Sequence, residues 1–426
     1  MKSINLIFQI HHPFHFQTFR FMDIETGKSY YDEQRIENEI TDFATNYYLP
    51  TNEFLLKLIS NKKNKLKIAF YISGTAIDLF TIYQPEVISS FRKLADTGRV
   101  EFLAGTPSHS LITLTNHKSE LAKQLKEYQT KIEYFFGKKP SVFVNTDLLY
   151  SNLIGKDIEE LGYQTIITNG IGKTLHWRSP NYVYSNCLNA RQNVLFRNEY
   201  ISNQLANTFT HIDQQNRKIK TEDFLTVLQS INNEEPLLNL FLDYSLLGGQ
   251  SIDEKQKFMQ SFISHINKEG QRSFNFLSEI SEHYGAVAEI NAGVPICMVN
   301  RFHPDYYPGN ELQMEAIKQL YALGKLVDEV DDIQLLTDWN YLQTSDHIHL
   351  MDDQHPVYTG NGDSNFMFKT KYDAFINFMN ILDDFSIRLK KEARKHERKR
   401  HRAAMHNNVD KQNGIATTAN NAHLRK

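Results

Sequence analysis

Short apolar runs alternate with amphipathic stretches over the first two-thirds of the chain. Residues 4–10 form an apolar run broken by His11-His12-Pro13, which predicts a strand feeding a polar loop. Residues 48–59 repeat apolar positions at helical spacing. Pro50 stands near their start and Thr51 or Asn52 is a candidate cap, so a helix is expected there. The same reading predicts strands over 66–72, 100–104, 142–144, 165–167 and 237–242. It predicts helices around 85–95, 120–136 and 154–161. Such alternation up to about residue 290 implies an α/β architecture with a parallel sheet. Polar residues follow the strands directly, where parallel barrels place their working groups.

The pattern changes after about residue 300. Leu312, Ala316, Leu320, Leu323, Val327 and Val330 fall at helical spacing, as do Phe375, Phe378, Met379, Leu382, Phe385 and Leu389. The expected organisation is therefore a barrel-type domain over 1–295, an α-helical domain over 296–405 and a disordered tail over 406–426. Asn, Ala and Thr dominate that last stretch, with little to bury. No repeat of fixed period is visible.

Composition narrows the class. Apolar residues make up 41% and charged residues 23%, as in ordinary globular chains. Aromatics reach 12%, chiefly Phe and Tyr. Core burial accounts for most aromatics, although sugar rings also offer flat faces to them. The formal net charge is −3, but residues 388–426 hold twelve Lys/Arg against Glu392, Glu397 and Asp410. The body is therefore acidic and does not suit a nucleic-acid platform. The basic run over 388–402 could contact nucleic acid, anionic lipid or an acidic partner. It lacks interleaved aromatics for base stacking. Only Cys187 and Cys297 are present, so no disulfide framework is implied. No signal peptide and no membrane-spanning run are read, and the cytoplasm is the expected compartment.

Two carboxylates stand at strand ends, Asp147 after 142–144 and Asp243 after 237–242. Cleavage of a glycosidic bond needs such a pair, one as acid/base and one as nucleophile or as base toward water. An Asp after a strand also serves as a turn or helix cap, so position alone does not decide. His11, His12 and His15 could suggest a metal, yet no carboxylate lies close in sequence. Hydrogen-bonding histidines without a metal are the expectation there and at His109. Asp346-His347, following Trp339, combines acid, imidazole and aromatic groups suited to a sugar hydroxyl and ring. There is no nucleophile elbow, phosphate-cradling glycine loop or paired C-x-x-C, and no cofactor is called for.

In the same order along residues 1–388, several segments resemble those of the family 57 glycoside hydrolases, in particular the α-amylase-like branch. They are His11-His12-Pro13-Phe14, Tyr30-Tyr31-Asp32-Glu33, Tyr48-Leu49-Pro50-Thr51-Asn52 and Val100-Glu101-Phe102-Leu103-Ala104 with His109-Ser110. The series continues with Val142 to Tyr150, Trp177-Arg178-Ser179-Pro180-Asn181-Tyr182, Leu240-Phe241-Leu242-Asp243-Tyr244 and Leu342 to His347. The resemblance implies a (β/α)7 barrel followed by a helical domain, a retaining double displacement, and an α-glucan or maltodextrin as substrate. It implies that Asp147 holds the nucleophile position and Asp243 the acid/base position. It makes His11, His109, Trp177, Asp346 and His347 substrate contacts.

The departures from that pattern bear on activity. Asp147 stands where the family has Glu, Gly105 where Glu is usual, and His12 where Gln is usual. Ser245-Leu246-Leu247-Gly248-Gly249 lacks the family's acid and His. Residues 296–300 lack the expected Trp and Asp. Asp is one methylene shorter than Glu, and a misplacement of about 1 Å costs on the order of 100-fold in rate. The expectation is a weakened hydrolase or glucanotransferase, and residual hydrolysis through a widened gap would invert. The alternatives are a non-catalytic α-glucan-binding protein on the same scaffold and a deacetylase-like metal enzyme of related barrel shape.

Overall fold

The computed structural model describes residues 2–298, 309–352 and 368–423, apart from 62, 171, 216–220, 230 and 232–233. Val299 and Asn300 lie outside the described residues.

Among the described residues ten strands occur in chain order. They are β1 (Lys2–Ile10), β2 (Ile68–Ile72), β3 (Val100–Phe102), β4 (Val142–Val144), β5 (Thr165–Asn169), β6 (Tyr184–Asn186), β7 (Asn189–Arg197), β8 (Leu237–Asp243), β9 (Arg272–Phe274) and β10 (Glu289–Ile290). Seven of them close a parallel ring. β8 pairs with β1, β1 with β2, and β2 with β3. β3 meets β4 at the parallel bridge Ala104↔Phe143. β4 pairs with β5, β5 with β7, and β7 returns to β8 through Arg197↔Asn239. This is the seven-stranded barrel the sequence implied. β6 forms an antiparallel hairpin on β7, β10 extends that edge, and β9 adds to the start of β1.

The barrel strands are buried on both faces, which is why they read as near-continuous apolar runs. Helices surround them with apolar sides turned inward. The helix Pro85–Asp96 buries Val87, Ile88, Phe91, Leu94 and Ala95, and Lys118–Phe136 buries Leu121, Leu125, Tyr128, Ile132 and Phe136. Helix positions were legible because this period repeats every three to four residues.

After the barrel come the helices Glu311–Ala322, Ile333–Leu342, Ser345–His349 and Lys371–His423, with a short turn at Gly324–Val327. They share one apolar cluster with the barrel. Phe143, Ile166, Val194 and Phe196 of the strands belong with Ala316, Trp339, Phe378, Ile381 and Phe385. The helical region is thus laid on the β4–β5–β7 side of the barrel. The stretch after 406, read as disordered, instead continues the last helix to His423. No proline interrupts it, and proline is the strongest helix stop. Among the described residues no helix is long and apolar enough to cross a membrane.

Candidate active site at the mouth of the barrel

Asp147 sits in the turn Thr146–Leu148, directly past β4. Its φ of 53° and the 54° of Leu148 are left-handed, and so is the 51° of His109. A non-glycine residue in this region costs roughly 1–2 kcal/mol, so three at one place need a strong frame. The frame consists of hydrogen bonds. Asn145 accepts from the Thr146 amide and donates to Thr113 and to the Leu149 carbonyl. Thr146 Oγ1 donates to the Ser110 carbonyl at 2.8 Å, Thr168 Oγ1 to the Leu148 carbonyl at 2.6 Å, and the Met298 amide to the Asp147 carbonyl at 2.8 Å.

Four imidazole and carboxylate groups gather around the Asp147 side chain. His349 Nε2 lies 3.0 Å from Asp147 Oδ2, and His109 Nε2 lies 4.0 Å from Oδ1. The His109 ring stacks on His11 with centroids 4.3 Å apart. His11 bridges Ser73 Oγ at 2.8 Å and Asp346 Oδ2 at 2.7 Å. Ser73 also caps the helix Gly74–Tyr83, accepting from the Ala76 amide. His11, Ser73, His109 and Asp147 each follow the C-terminal end of a barrel strand, β1 to β4 respectively. Asp346 and His349 come from the helix Ser345–His349 laid over them. That helix is docked by the Ser345 amide on the His109 carbonyl and by the bridge Ser110↔Thr344.

The electrostatics follow from burial and pairing. Burial pushes His109 down to about 3, and neighbouring His11 adds to this, so His109 is neutral at pH 7. Burial works to raise Asp346, but His11, His349 and His109 together hold its carboxyl well below the usual range. The Cys297 thiol is pushed up to about 12 by burial and then by Asp147, so it is no thiolate.

Asp243 closes β8 in register with Gln9 of β1. In the seven-strand ring, β8 stands three strands from β4 by one path and four by the other, so Asp147 and Asp243 stand past strands on opposite sides of the ring. Asp243 is exposed, and its Oδ1 accepts from the Ser245 amide at 2.8 Å and from Ser245 Oγ at 2.6 Å. Among the described residues its Oδ2 makes no hydrogen bond.

Other candidates are placed differently. The Trp177 ring stands on the surface after β5, 90% exposed, with Arg178 6.0 Å from its centroid. His347 is buried and stacks 3.6 Å from Phe16, with Nε2 making no hydrogen bond. A ring so enclosed offers no face to a sugar, and its reading as a substrate contact is corrected. Trp339 is buried too, donating to Glu120, so it is no stacking platform. The expectation that the first histidines have no carboxylate near them fails for tertiary reasons. His12 and His15 meet Glu39 at 3.4 and 2.9 Å, from the helix Glu33–Phe43, and His11 meets Asp346. Among the described residues no group of three or more His, Cys, Asp or Glu is arranged to hold a metal ion.

The sequence reading missed His349, Ser73 and Tyr71. His349 carried a usable signal, because it lies three residues past Asp346 and so shares its helix face. Tyr71 explains Gly105. A Cβ there would come within 2.4 Å of the Tyr71 ring and 2.9 Å of the Val144 carbonyl. The tyrosine hydroxyl donates to the Thr106 carbonyl at 2.9 Å. An aromatic ring thus fills the space beside Gly105.

Comparison with known proteins bears on this arrangement. The profile described as "Glycosyl hydrolase family 57" matches residues 5–293. A curated protein of Methanocaldococcus jannaschii, described as "Putative alpha-amylase", is 27% identical over 416 residues, covering 92% of this chain and 86% of that protein. A solved 4-alpha-glucanotransferase of Thermococcus litoralis aligns with TM-score 0.52 and 13% identity over 82% of this chain. The chain spans about half of its length, 52%. A solved family 57 branching enzyme of Thermococcus kodakaraensis, in complex with glucose, aligns with TM-score 0.60 and 14% identity, covering 82% of this chain and 86% of that one.

Proposed function

The chain belongs to glycosyl hydrolase family 57, and from that premise we propose that it acts on an α-glucan through Asp147 and Asp243. One observation carries the reading. Asp147 is held in a left-handed turn among His109, His349 and the His11–Asp346 pair, and Asp243 ends a strand on the opposite side of the ring. Backbone strain and clustered ionisable groups at strand C-termini are what a working site in such a barrel requires.

The chemistry divides between the two carboxylates. Asp243 gives its proton to the glycosidic oxygen from Oδ2, since Oδ1 is committed to Ser245. Asp147 forms a bond to the anomeric carbon as the bond to that oxygen breaks. Water, or a hydroxyl of a second glucan, then gives a proton to Asp243 and displaces Asp147. Water makes the reaction hydrolysis and a glucan makes it transfer. His11, His109 and Asp346 serve as contacts for sugar hydroxyls, and exposed Trp177 offers a stacking face. The unpaired Cys187 and Cys297 support a reducing compartment such as the cytoplasm.

A second reading, a non-catalytic α-glucan-binding protein, draws on the Tyr71 ring that fills the space beside Gly105. The deciding experiment incubates the protein with maltoheptaose and soluble starch beside Asp243→Asn. An enzyme releases shorter or rearranged glucans, and the variant loses on the order of 10²–10⁴-fold in rate. Maltodextrin binding without product would establish the second reading instead. An α-anomer as first product by NMR marks retention and a β-anomer inversion.

A further inference from the structure

Asp147 presents a shorter reach than Glu, and the structure sets beside it a group that lies past the segment matched by the family profile and outside the sequence motifs. His349 Nε2 stands 3.0 Å from Asp147 Oδ2, a close charge contact that is not aligned as a hydrogen bond, while the nearest approach of His109 to Oδ1 is 4.0 Å. Both side chains of the closer pair are largely shielded, at 13% and 12% exposure. Attack on an anomeric carbon needs one oxygen aimed and the other held.

We propose that His349 is the positioning residue for the Asp147 nucleophile, holding Oδ2 so that the other carboxylate oxygen faces the anomeric carbon. The assignment rests on the glycosidase reading above. It is supported by how His349 is itself fixed. The helix Ser345–His349 is tied down at its start by the Ser345 amide on the His109 carbonyl and by the Ser110↔Thr344 bridge. One turn before His349, Asp346 is held by His11 at 2.7 Å. The backbone under Asp147 is equally fixed, by Met298 on its own carbonyl and by Thr168 on that of Leu148. Two rigid supports therefore meet at the His349–Asp147 contact. An imidazole buried only for packing would be replaced at less cost by an apolar side chain, since its ring nitrogens lose water on burial.

In the reaction the bond from Asp147 to the anomeric carbon forms as the glycosidic bond breaks, with the proton supplied by Asp243. In the second half, water adds to the anomeric carbon, its proton goes to Asp243, and the electron pair returns to Asp147. His349 touches neither the sugar nor the leaving group. It keeps the carboxylate in one orientation through both halves.

The test compares wild type, His349→Phe and His349→Gln on maltoheptaose, measuring kcat, KM and the thermal midpoint for each. Phe keeps a ring without a donor, and Gln keeps a donor without the ring. The expected result is a kcat lower by on the order of 100-fold in His349→Phe, the effect of about 1 Å of misplacement. KM should stay within a few-fold, and His349→Gln should recover at least about ten-fold of the lost kcat. Unchanged kcat in His349→Phe overturns the assignment. So does a His349→Gln enzyme with native thermal midpoint and no recovery. Should His349→Phe not fold, His349→Gln decides alone, and a kcat more than about 100-fold below wild type overturns the proposal. A wild type inactive on both maltoheptaose and starch would remove the glycosidase reading itself. An active wild type indifferent to position 349 removes only this inference.

Discussion

His347 shows how burial alone sets the state of a single group. Its ring lies between Phe16 and the helical region, and burial pushes its pKa down to about 3. The unfolded chain takes up a proton at this residue below about 6.5, and the folded chain does not until about 3. Its contribution to stability is therefore complete above pH 6.5 and is lost as pH falls toward 3. The thermal midpoint, measured from pH 7 to pH 3.5, should fall, and His347→Gln should make the fall shallower. His109, also held to about 3, adds to the slope in the wild type and leaves a residue of it in the variant. At this scale Asp147, Asp243 and His11 were nameable as candidates because each lies at or just past the end of a strand run, whereas His109 lies seven residues past β3. The i,i+3 spacing sets His349 rather than His347 on the face of Asp346, but only packing shows which face of that short helix meets Asp147.

Among the elements, the junction of β7 and β8 is one of two narrow joins of the ring, with one paired position, Arg197↔Asn239, as β3 meets β4 only at Ala104↔Phe143. Side chains close it. Arg197 donates from Nε to the Phe241 carbonyl at 3.1 Å, from Nη1 to Asn169 at 3.3 Å and from Nη2 to Asn203 at 2.6 Å. Asn239 donates to the Phe196 carbonyl and accepts from Asn5 at 2.6 Å. The guanidinium is buried, which pulls its pKa down to about 10 without discharging it at neutral pH. Phe241 lies two residues before Asp243, so this join also sets where the proposed acid stands. Arg197→Met leaves the Phe241 carbonyl and two amide oxygens short of a donor, at about 1–3 kcal/mol for each left unsatisfied. Urea unfolding should show at least about 1 kcal/mol lost, and glucan turnover should fall with it. The long strands β1, β2 and β8 were legible because continuous burial makes continuous apolar runs. The hairpin β6–β7 was not, because Asn189 to Asn193 is polar and its pairing partner decides its state.

At the scale of the molecule, the last helix acts as a clasp. The Asn377 side chain accepts from the Phe19 amide at 2.6 Å, Asp384 accepts from Tyr30 and from the Glu25 amide, and Arg388 pairs with Asp338 at 2.9 Å. Buried apolar positions on this helix run from Ala374 to Leu389. The basic run 388–402 begins where that burial ends. Removing residues 403–426 should leave the thermal midpoint within about 1 °C, since that Asn-, Ala- and Thr-rich stretch has little apolar surface to bury. Removing 390–426 should in addition abolish retention on heparin at low salt, if the run contacts polyanions. Retention unchanged after that deletion would remove the anion-binding reading of the tail.

The sequence by itself determined the parallel α/β barrel, the helical region after it and the two strand-end carboxylates. The alternation of strand and helix follows from local periodicity, while the barrel and the pairing of the two carboxylates follow from the ordered segments that resemble family 57, since an Asp after a strand also serves as a cap. Only the tertiary structure decided which side chains surround Asp147. His11 and Asp346 stand 335 residues apart and meet at 2.7 Å, and His349 reaches Asp147 from a helix packed across the barrel. Tyr71 fills the space that Gly105 leaves open. Such contacts depend on how separate elements pack, and hydrophobic period records which face of an element is buried but not what it is buried against.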